Sequence, residues 1–173
     1  DIEKGIQGGS GLGSSACSAV AAVVAINGLL KDPLPKTKLF ESALIGEKAA
    51  SNSLHGDNVG PSLLGGMVLA ILNEQHHVIE LPVPKDLYYT IYSPPSSLST
   101  KESRSVLGQT IALNDYIKQS GYLAQFIAGL YTNQSELLKS ALHDVVIEPQ
   151  RASLIPYFYP LKKAALQAGA YGC

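Results

Sequence analysis

An α+β fold is predicted by three features: strand-like runs that follow one another by short turns, helical stretches around them, and a glycine-rich loop opening the first helix. "KGIQGG" reads as a short strand entering that loop, "GGSGLGSS". From about Ser14 to Leu30 the residues are apolar or small on every side, which predicts a helix buried all round. Pro33 and Pro35 punctuate a turn after it. A second helix is expected over Lys36–Asn52. Its apolar row, Phe40, Ala43 and Leu44, continues at helical spacing onto Glu47, so a carboxylate lies on the buried stripe. "SLHGDNVGPSLLGG" predicts a turn and a short helix with Pro61 near its start. "MVLAIL", "HHVIEL" and "YYTIYS" read as three strands, the first two joined by a tight "NEQ" turn.

Further along, Ser99 with Glu102 three residues on forms a capping box, and Gly108 is expected to close that helix. A long helix is predicted over Leu113–Tyr131 and another over "SELLKSAL". "HDVVIEPQRASLIPYFYP" reads as a proline-marked connection, and "LKKAALQAGAYG" as a last helix reaching a glycine stop. No internal repeat or low-complexity linker interrupts the chain. A division near Ser93–Ser97 gives two expected domains, residues 1–93 and 94–173.

Composition narrows the function classes. The 173 residues carry a net charge of −1 and are 46% hydrophobic, enough for a substantial core and too neutral for a nucleic-acid-binding surface. No apolar run reaches the roughly 18 to 20 residues that span a bilayer, so no membrane partner is expected. Cys17 and Cys173 offer neither metal-ligand spacing nor a disulfide framework, and a reducing, cytoplasmic setting is the expectation. Of thirteen basic residues only Arg104 and Arg151 are arginine, the side chain whose planar fork suits a carboxylate. His76, His77 and His143 have no metal spacing and read as solvated or structural. The tyrosine-rich runs read as packing.

A glycine loop before a helix presents unsatisfied N–H groups at the positive end of the helix dipole, a combination that favours a phosphate. Ser14 and Ser15 can cap the helix, and a hydroxyl there can reach a phosphate or Mg²⁺. The common phosphate loop is excluded because no lysine follows the glycines. The dinucleotide fingerprint is formally met by Gly11, Gly13 and Ala16, although the acid about 20 residues on, Asp32, adjoins a proline instead of ending a strand. Close packing of a buried helix is the third reading of the same glycines.

"GGSGLGSSACSAVAAVVAIN" resembles the phosphate-binding signature of the kinase superfamily that includes galactokinase, homoserine kinase, mevalonate kinase and phosphomevalonate kinase; Gln7 stands where that family usually has proline. "HGDNVGPSLLGG" is similar to the homoserine kinase stretch H-A-D-N-V-A-P-S-L-L-G-G, with glycine at 56 and 60 in place of alanine. "STKESRSVL" and "IEPQRASLIPYF" resemble further homoserine kinase segments in order and spacing. The resemblance covers essentially the whole chain. It implies a two-domain fold, with an N-terminal part like ribosomal protein S5 domain 2 and a ferredoxin-like C-terminal part, incomplete at both ends.

The resemblance implies ATP-dependent phosphorylation of the L-homoserine hydroxyl to O-phospho-L-homoserine, a step of threonine biosynthesis, with ATP and Mg²⁺ as cofactors. Gly9, Ser10, Gly11, Leu12, Gly13, Ser14 and Ser15 would hold the nucleotide phosphates, and Ser15 with Glu47 the Mg²⁺. Arg104 and Arg151 would hold the acceptor's carboxylate, Asp57 its ammonium and Asn58 the reacting hydroxyl. His55 and Thr100 would complete the pocket. Asp57 and Asn58 are the expected catalytic pair, and Asn58 implies transfer without a dedicated side-chain base. The complete protein would be a homodimer, and the 173 residues alone would have little turnover. Other readings stay open at this point. Glu47 can be a buried glutamate paired with a lysine or a backbone cap, "GDN" a turn or cap, and each arginine a surface ion pair. The chain can be another small-molecule kinase of the same superfamily, a nicotinamide-binding oxidoreductase fragment, or a non-catalytic binding or assembly remnant.

Overall fold

The computed structural model describes residues 3–6, 8, 10–51, 54–74, 76–93 and 98–173, with only the backbone described at Ser51, Thr100 and Lys101. They fall into two compact units, Asp1–Val83 and Pro84–Cys173. The expected division at Ser93–Ser97 falls on residues 94–97, which lie outside the described residues, and the compact units meet at Val83 and Pro84.

The first unit holds helices α1 (Ser14–Asn27), α2 (Lys36–Ser51) and α3 (Gly56–Leu64), then strands β1 (Met67–Ile71) and β2 (His77–Leu81). Ala16 and Val20 of α1, Phe40, Ala43 and Leu44 of α2, and Val59 of α3 form the core, with Val23, Leu63, Ala70 and Val78 packed against it. Phe40, Leu44 and Val59 are the largest fully buried side chains, each contributing about 1.5–3 kcal/mol by leaving water. Asn27 closes the turn between α1 and α2: its Oδ1 accepts from the Leu34 amide at 2.7 Å and its Nδ2 donates to the Leu34 carbonyl at 3.2 Å. The strands pair antiparallel, Met67 opposite Leu81 and Ile71 opposite His77. Gly60 lets α3 lie on this hairpin, because a Cβ there would sit 2.8 Å from Val68 Cγ2.

Several expectations for this unit are corrected. Residues 3–6 and 8 form no strand before the loop. Helix α1 is not buried all round: it packs on α2 and α3 through Ala16 and Val20, while Val24 and Ile26 face outward. An alanine-rich sequence is compatible with either situation, since its small side chains carry little directional pattern. Pro61 sits at the sixth of nine residues of α3 instead of near its start. The helix keeps its turn beyond it, with the Gly65 amide donating to the Pro61 carbonyl at 2.9 Å.

The second unit contains α4 (Thr100–Ser105), α5 (Leu113–Thr132), α6 (Ser135–Ala141), α7 (Glu148–Arg151), a 3₁₀ turn (Ala152–Leu154) and α8 (Phe158–Gln167). Helices α5 and α6 pack through Gly129, Leu130, Leu138 and Ala141, and Gln125 Nε2 donates to the Leu137 carbonyl at 3.2 Å. "YYTIYS" is not a strand. It has no ladder partner among the described residues, and Tyr88 and Tyr89 are 84% and 88% exposed. A strand needs a neighbour to take its backbone hydrogen bonds, which its own side-chain pattern does not supply. Gly108 lies past the end of α4, which is capped at Val106. The expected proline-marked connection contains α7 and the 3₁₀ turn. The last helix starts earlier than expected, at Phe158, and ends ahead of Gly169, whose φ is +97°.

Candidate functional site

In the first unit the loop turns into α1 through Gly11 (φ +76°) and Gly13 (φ +72°), a left-handed conformation that side chains resist. Gly13 is the N-cap of α1 and has no side chain to accept from the helix amides, so those of Ser14, Ser15 and Ala16 face out of the helix mouth. Among the described loop residues, Ser10 Oγ accepts from the Leu12 amide at 3.4 Å. The hydroxyl of Ser14 is used to hold the approach to the loop, donating to the Ile6 carbonyl at 2.9 Å. Gly9 lies outside the described residues.

Beneath this mouth lies a polar cluster. Ser15 Oγ donates to Glu47 Oε1 at 3.1 Å, and His55 Nδ1 donates to the same oxygen at 3.2 Å. Glu47 and His55 are only 3% and 7% exposed. A carboxyl is not buried at such a depth without polar neighbours, and here they come from α1 and from the N-cap of α3. Asn58 touches the loop itself, since a Cβ on Gly13 would lie 2.7 Å from Asn58 Oδ1. Asp57 is exposed in the first turn of α3, beside Asn58. Five expected site residues, Gly13, Ser15, Glu47, His55 and Asn58, are thus joined by contact.

Ser15 and Glu47 are oxygen donors, the kind a hard divalent cation takes. In an octahedral site with metal–oxygen bonds near 2.0–2.1 Å, adjacent ligands stand about 2.9 Å apart. Ser15 Oγ and Glu47 Oε1 stand 3.1 Å apart as a hydrogen-bonded pair, a bond that a shared ion would replace. Among the described residues no group of three histidine, cysteine, aspartate or glutamate side chains could hold a metal alone, so phosphate and water oxygens would complete the shell.

The second unit brings its two arginine segments together. Arg151 Nε donates to the carbonyl of Ser103, the residue before Arg104, at 2.8 Å. Gln150 Oε1 accepts from the Gly108 amide at 2.6 Å, and its Nε2 donates to the Val146 carbonyl at 2.6 Å. Three acids of these segments, Glu102, Asp144 and Glu148, are engaged elsewhere. Glu102 accepts from the Ser99 amide at 3.0 Å and from its hydroxyl at 2.6 Å, completing the expected capping box. The Ser99 hydroxyl, then the Ser99 amide, hold the Glu102 carboxyl below its usual 4.5. Asp144 Oδ1 accepts from the amides of Val146 and Ile147. Glu148 pairs with Lys162 at 2.5 Å. Arg104 and the two Nη groups of Arg151 therefore have no hydrogen-bond or ion-pair partner among the described residues. Neither arginine makes the surface ion pair held open above. The Thr100 side chain lies outside what is described. Reading the sequence missed Gln150 and Lys162, whose partners lie 42 and 14 residues away and leave no local pattern.

The helix mouth, with no side-chain cap, and the Ser15–Glu47–His55 cluster lie in the part of the chain that known kinases match. Residues 1–66 match the family described as GHMP kinases N terminal domain. Along its whole length the chain is similar to homoserine kinases. It is 44% identical over 172 residues to the homoserine kinase of Xylella fastidiosa (strain M12), covering 99% of this chain and 52% of that one. To the homoserine kinase of Chlorobium phaeobacteroides (strain BS1) it is 43% identical over 173 residues, covering 100% and 54%. The crystal structure of homoserine kinase from Cytophaga hutchinsonii ATCC 33406 matches it with a TM-score of 0.94 at 45% identity, over 98% of this chain and 54% of that one. The chain spans about half the length of the curated relatives it matches. The dinucleotide reading fails on the fold: no strand forms among the described residues leading into the loop, and the two strands are antiparallel. Among the described residues, no helix is long and apolar enough to cross a membrane.

Proposed function

We propose that this chain carries the phosphate-binding and acceptor-binding parts of an ATP-dependent homoserine kinase, the first domain (1–93) serving the nucleotide and, through Asp57 and Asn58, the acceptor, and the second (94–173) serving the acceptor's carboxylate. The observation that carries this reading is the Ser15–Glu47–His55 cluster under a helix mouth whose glycine cap touches Asn58. The family resemblance extends it to a complete protein that is a cytoplasmic homodimer, with an S5 domain 2-like first part and a ferredoxin-like second part.

In this reaction the homoserine hydroxyl oxygen forms a bond to the γ-phosphorus as the bond to the β–γ bridging oxygen breaks. ADP departs and the hydroxyl proton is released to solvent. The amides of Gly11–Ala16, Gly9 and the Ser10 and Ser14 segment cradle the phosphates, backed by the dipole of α1. Bound Mg²⁺ would neutralise phosphate charge. Ser15 and Glu47 would hold that ion, and His55 fixes the Glu47 carboxylate through Nδ1. Arg104 and Arg151 bind the acceptor carboxylate, with Thr100 beside them; Asp57 binds the ammonium and Asn58 orients the hydroxyl. An amide cannot take the proton as a carboxylate does, so the rate comes from positioning and electrostatics.

The test is a chimera in which this chain replaces the matching 172 residues of the Xylella fastidiosa homoserine kinase. With MgATP and L-homoserine, phosphorus NMR is expected to show phosphohomoserine. The chain alone is expected to form almost none. A folded chimera that binds MgATP yet phosphorylates a different alcohol would overturn the substrate, and one that binds no nucleotide would overturn the reading altogether. A pH–rate profile of the chimera governed by an essential base, lost on Asp57→Asn and kept on Asn58→Ala, would contradict transfer without a side-chain base.

A further inference from the structure

Glu148 and Arg151 stand three residues apart on one short helix, the spacing at which a carboxylate and a guanidinium meet. They do not pair. Arg151 spends its Nε on the Ser103 carbonyl, and Glu148 reaches instead to Lys162 on α8. Lys162 is held for this role: its ammonium lies 6.0 Å from the centre of the Phe158 ring, one turn earlier on α8, and the ion pair is largely sheltered, at 17% and 18% side-chain exposure. The other carboxylates near the arginines are likewise occupied, Glu102 by Ser99 and Asp144 by the Val146 and Ile147 amides.

We propose that Lys162 is a positioning residue that holds Glu148 away from Arg151, so that the free edge of the Arg151 guanidinium stays open to a ligand carboxylate. This rests on the reading of Arg151 as part of the acceptor site. A fork already satisfied by an internal carboxylate binds an external one only by giving up the first. With Glu148 neutralised by Lys162, Arg151 keeps its positive charge uncompensated within the protein while its Nε bond fixes the direction of the remaining edge. The pair is therefore asymmetric in function. Breaking it from the lysine side releases a carboxylate onto Arg151, whereas breaking it from the glutamate side releases nothing that competes.

The chain has two arginines, so isotope-labelled protein gives two Nε–H signals to follow. In ligand-free Lys162→Met the Arg151 signal is expected to move and the Arg104 signal to stay. Glu148→Gln in the same chain should restore it. Titrated with L-homoserine, Lys162→Met should respond about fivefold more weakly than wild type, the double variant and Glu148→Gln alone about as wild type does. Lys162→Gln serves as a second variant if methionine impairs folding, which the amide spectrum reports. An unmoved Arg151 signal in folded Lys162 variants, or equal losses from the Lys162 and Glu148 single variants, would overturn the proposal. If the Lys162 series behaves as expected while wild type ignores homoserine at both arginines, the role of Lys162 stands and the acceptor assignment falls.

Discussion

On the proposed reading, the two units would recognise anions by opposite means. In the first, the donors are backbone amides fixed by a helix, and the side chains beneath them serve each other: half-buried Ser15 and buried His55 both donate to the buried Glu47. In the second, the donors are two guanidiniums on short helices, placed by bonds at their periphery, Arg151 to the Ser103 carbonyl and Gln150 to the Gly108 amide. A phosphate chain, common to many nucleotides, is suited to the rigid mouth. A small amino acid is distinguished by its carboxylate, and forked side chains supply that. The difference has an energetic consequence. Damage to the first site also damages the fold, while damage to the second is felt mainly in binding.

The largest effect is expected at Gly13. Gly13→Ala places a Cβ 2.7 Å from Asn58 Oδ1 on a left-handed backbone, and urea denaturation should show a loss of about 2–4 kcal/mol. Asn58→Ala in the same chain should recover only the part due to Oδ1 and Cγ, because the Asn58 Cβ stays 2.9 Å from the new one, and leave the part due to φ. Next comes Glu47→Ala, which leaves the Ser15 and His55 donors without their acceptor and should cost about 1–3 kcal/mol, with loss of the MgATP response.

Arg151→Lys sharpens the contrast: homoserine binding should fall at least about tenfold, while stability falls by about 1 kcal/mol for the Ser103 bond. Arg104→Ala should weaken homoserine binding similarly and change stability by less than about 0.5 kcal/mol. A collapse of stability in either arginine variant would erase the distinction between the units. The smallest effect is at the α4 cap, where Ser99→Ala should cost about 1 kcal/mol. Because Glu102 titrates lower in the folded state than its usual 4.5, its contribution is present above that value and is lost as pH falls through the folded value. Ser99→Ala should therefore flatten the acid limb of the stability profile below 4.5.

What the sequence made legible were features with local causes. The helix mouth follows from glycines running into "SSA", Glu47 from its place on a helical stripe, and the Ser99–Glu102 box from a three-residue spacing. The hairpin of β1 and β2 was equally readable, since its partners are adjacent in the chain. The failures concern partners far away in sequence. "YYTIYS" and the described residues of "KGIQGG" have strand-like composition, and composition cannot provide the neighbour that completes a ladder. That both arginines stay unpaired was beyond local reading too. It depends on Ser99, Lys162 and two loop amides occupying three separate acids.

The central claim is that the amides opening α1 grip the terminal phosphates of a nucleotide. It is tested most directly by titrating MgATP into the isotope-labelled chain and following the amide signals of Ser14, Ser15 and Ala16. These three should shift together and saturate, and in Glu47→Gln they should respond more weakly. Saturable nucleotide binding that leaves all three amides unmoved would contradict the account.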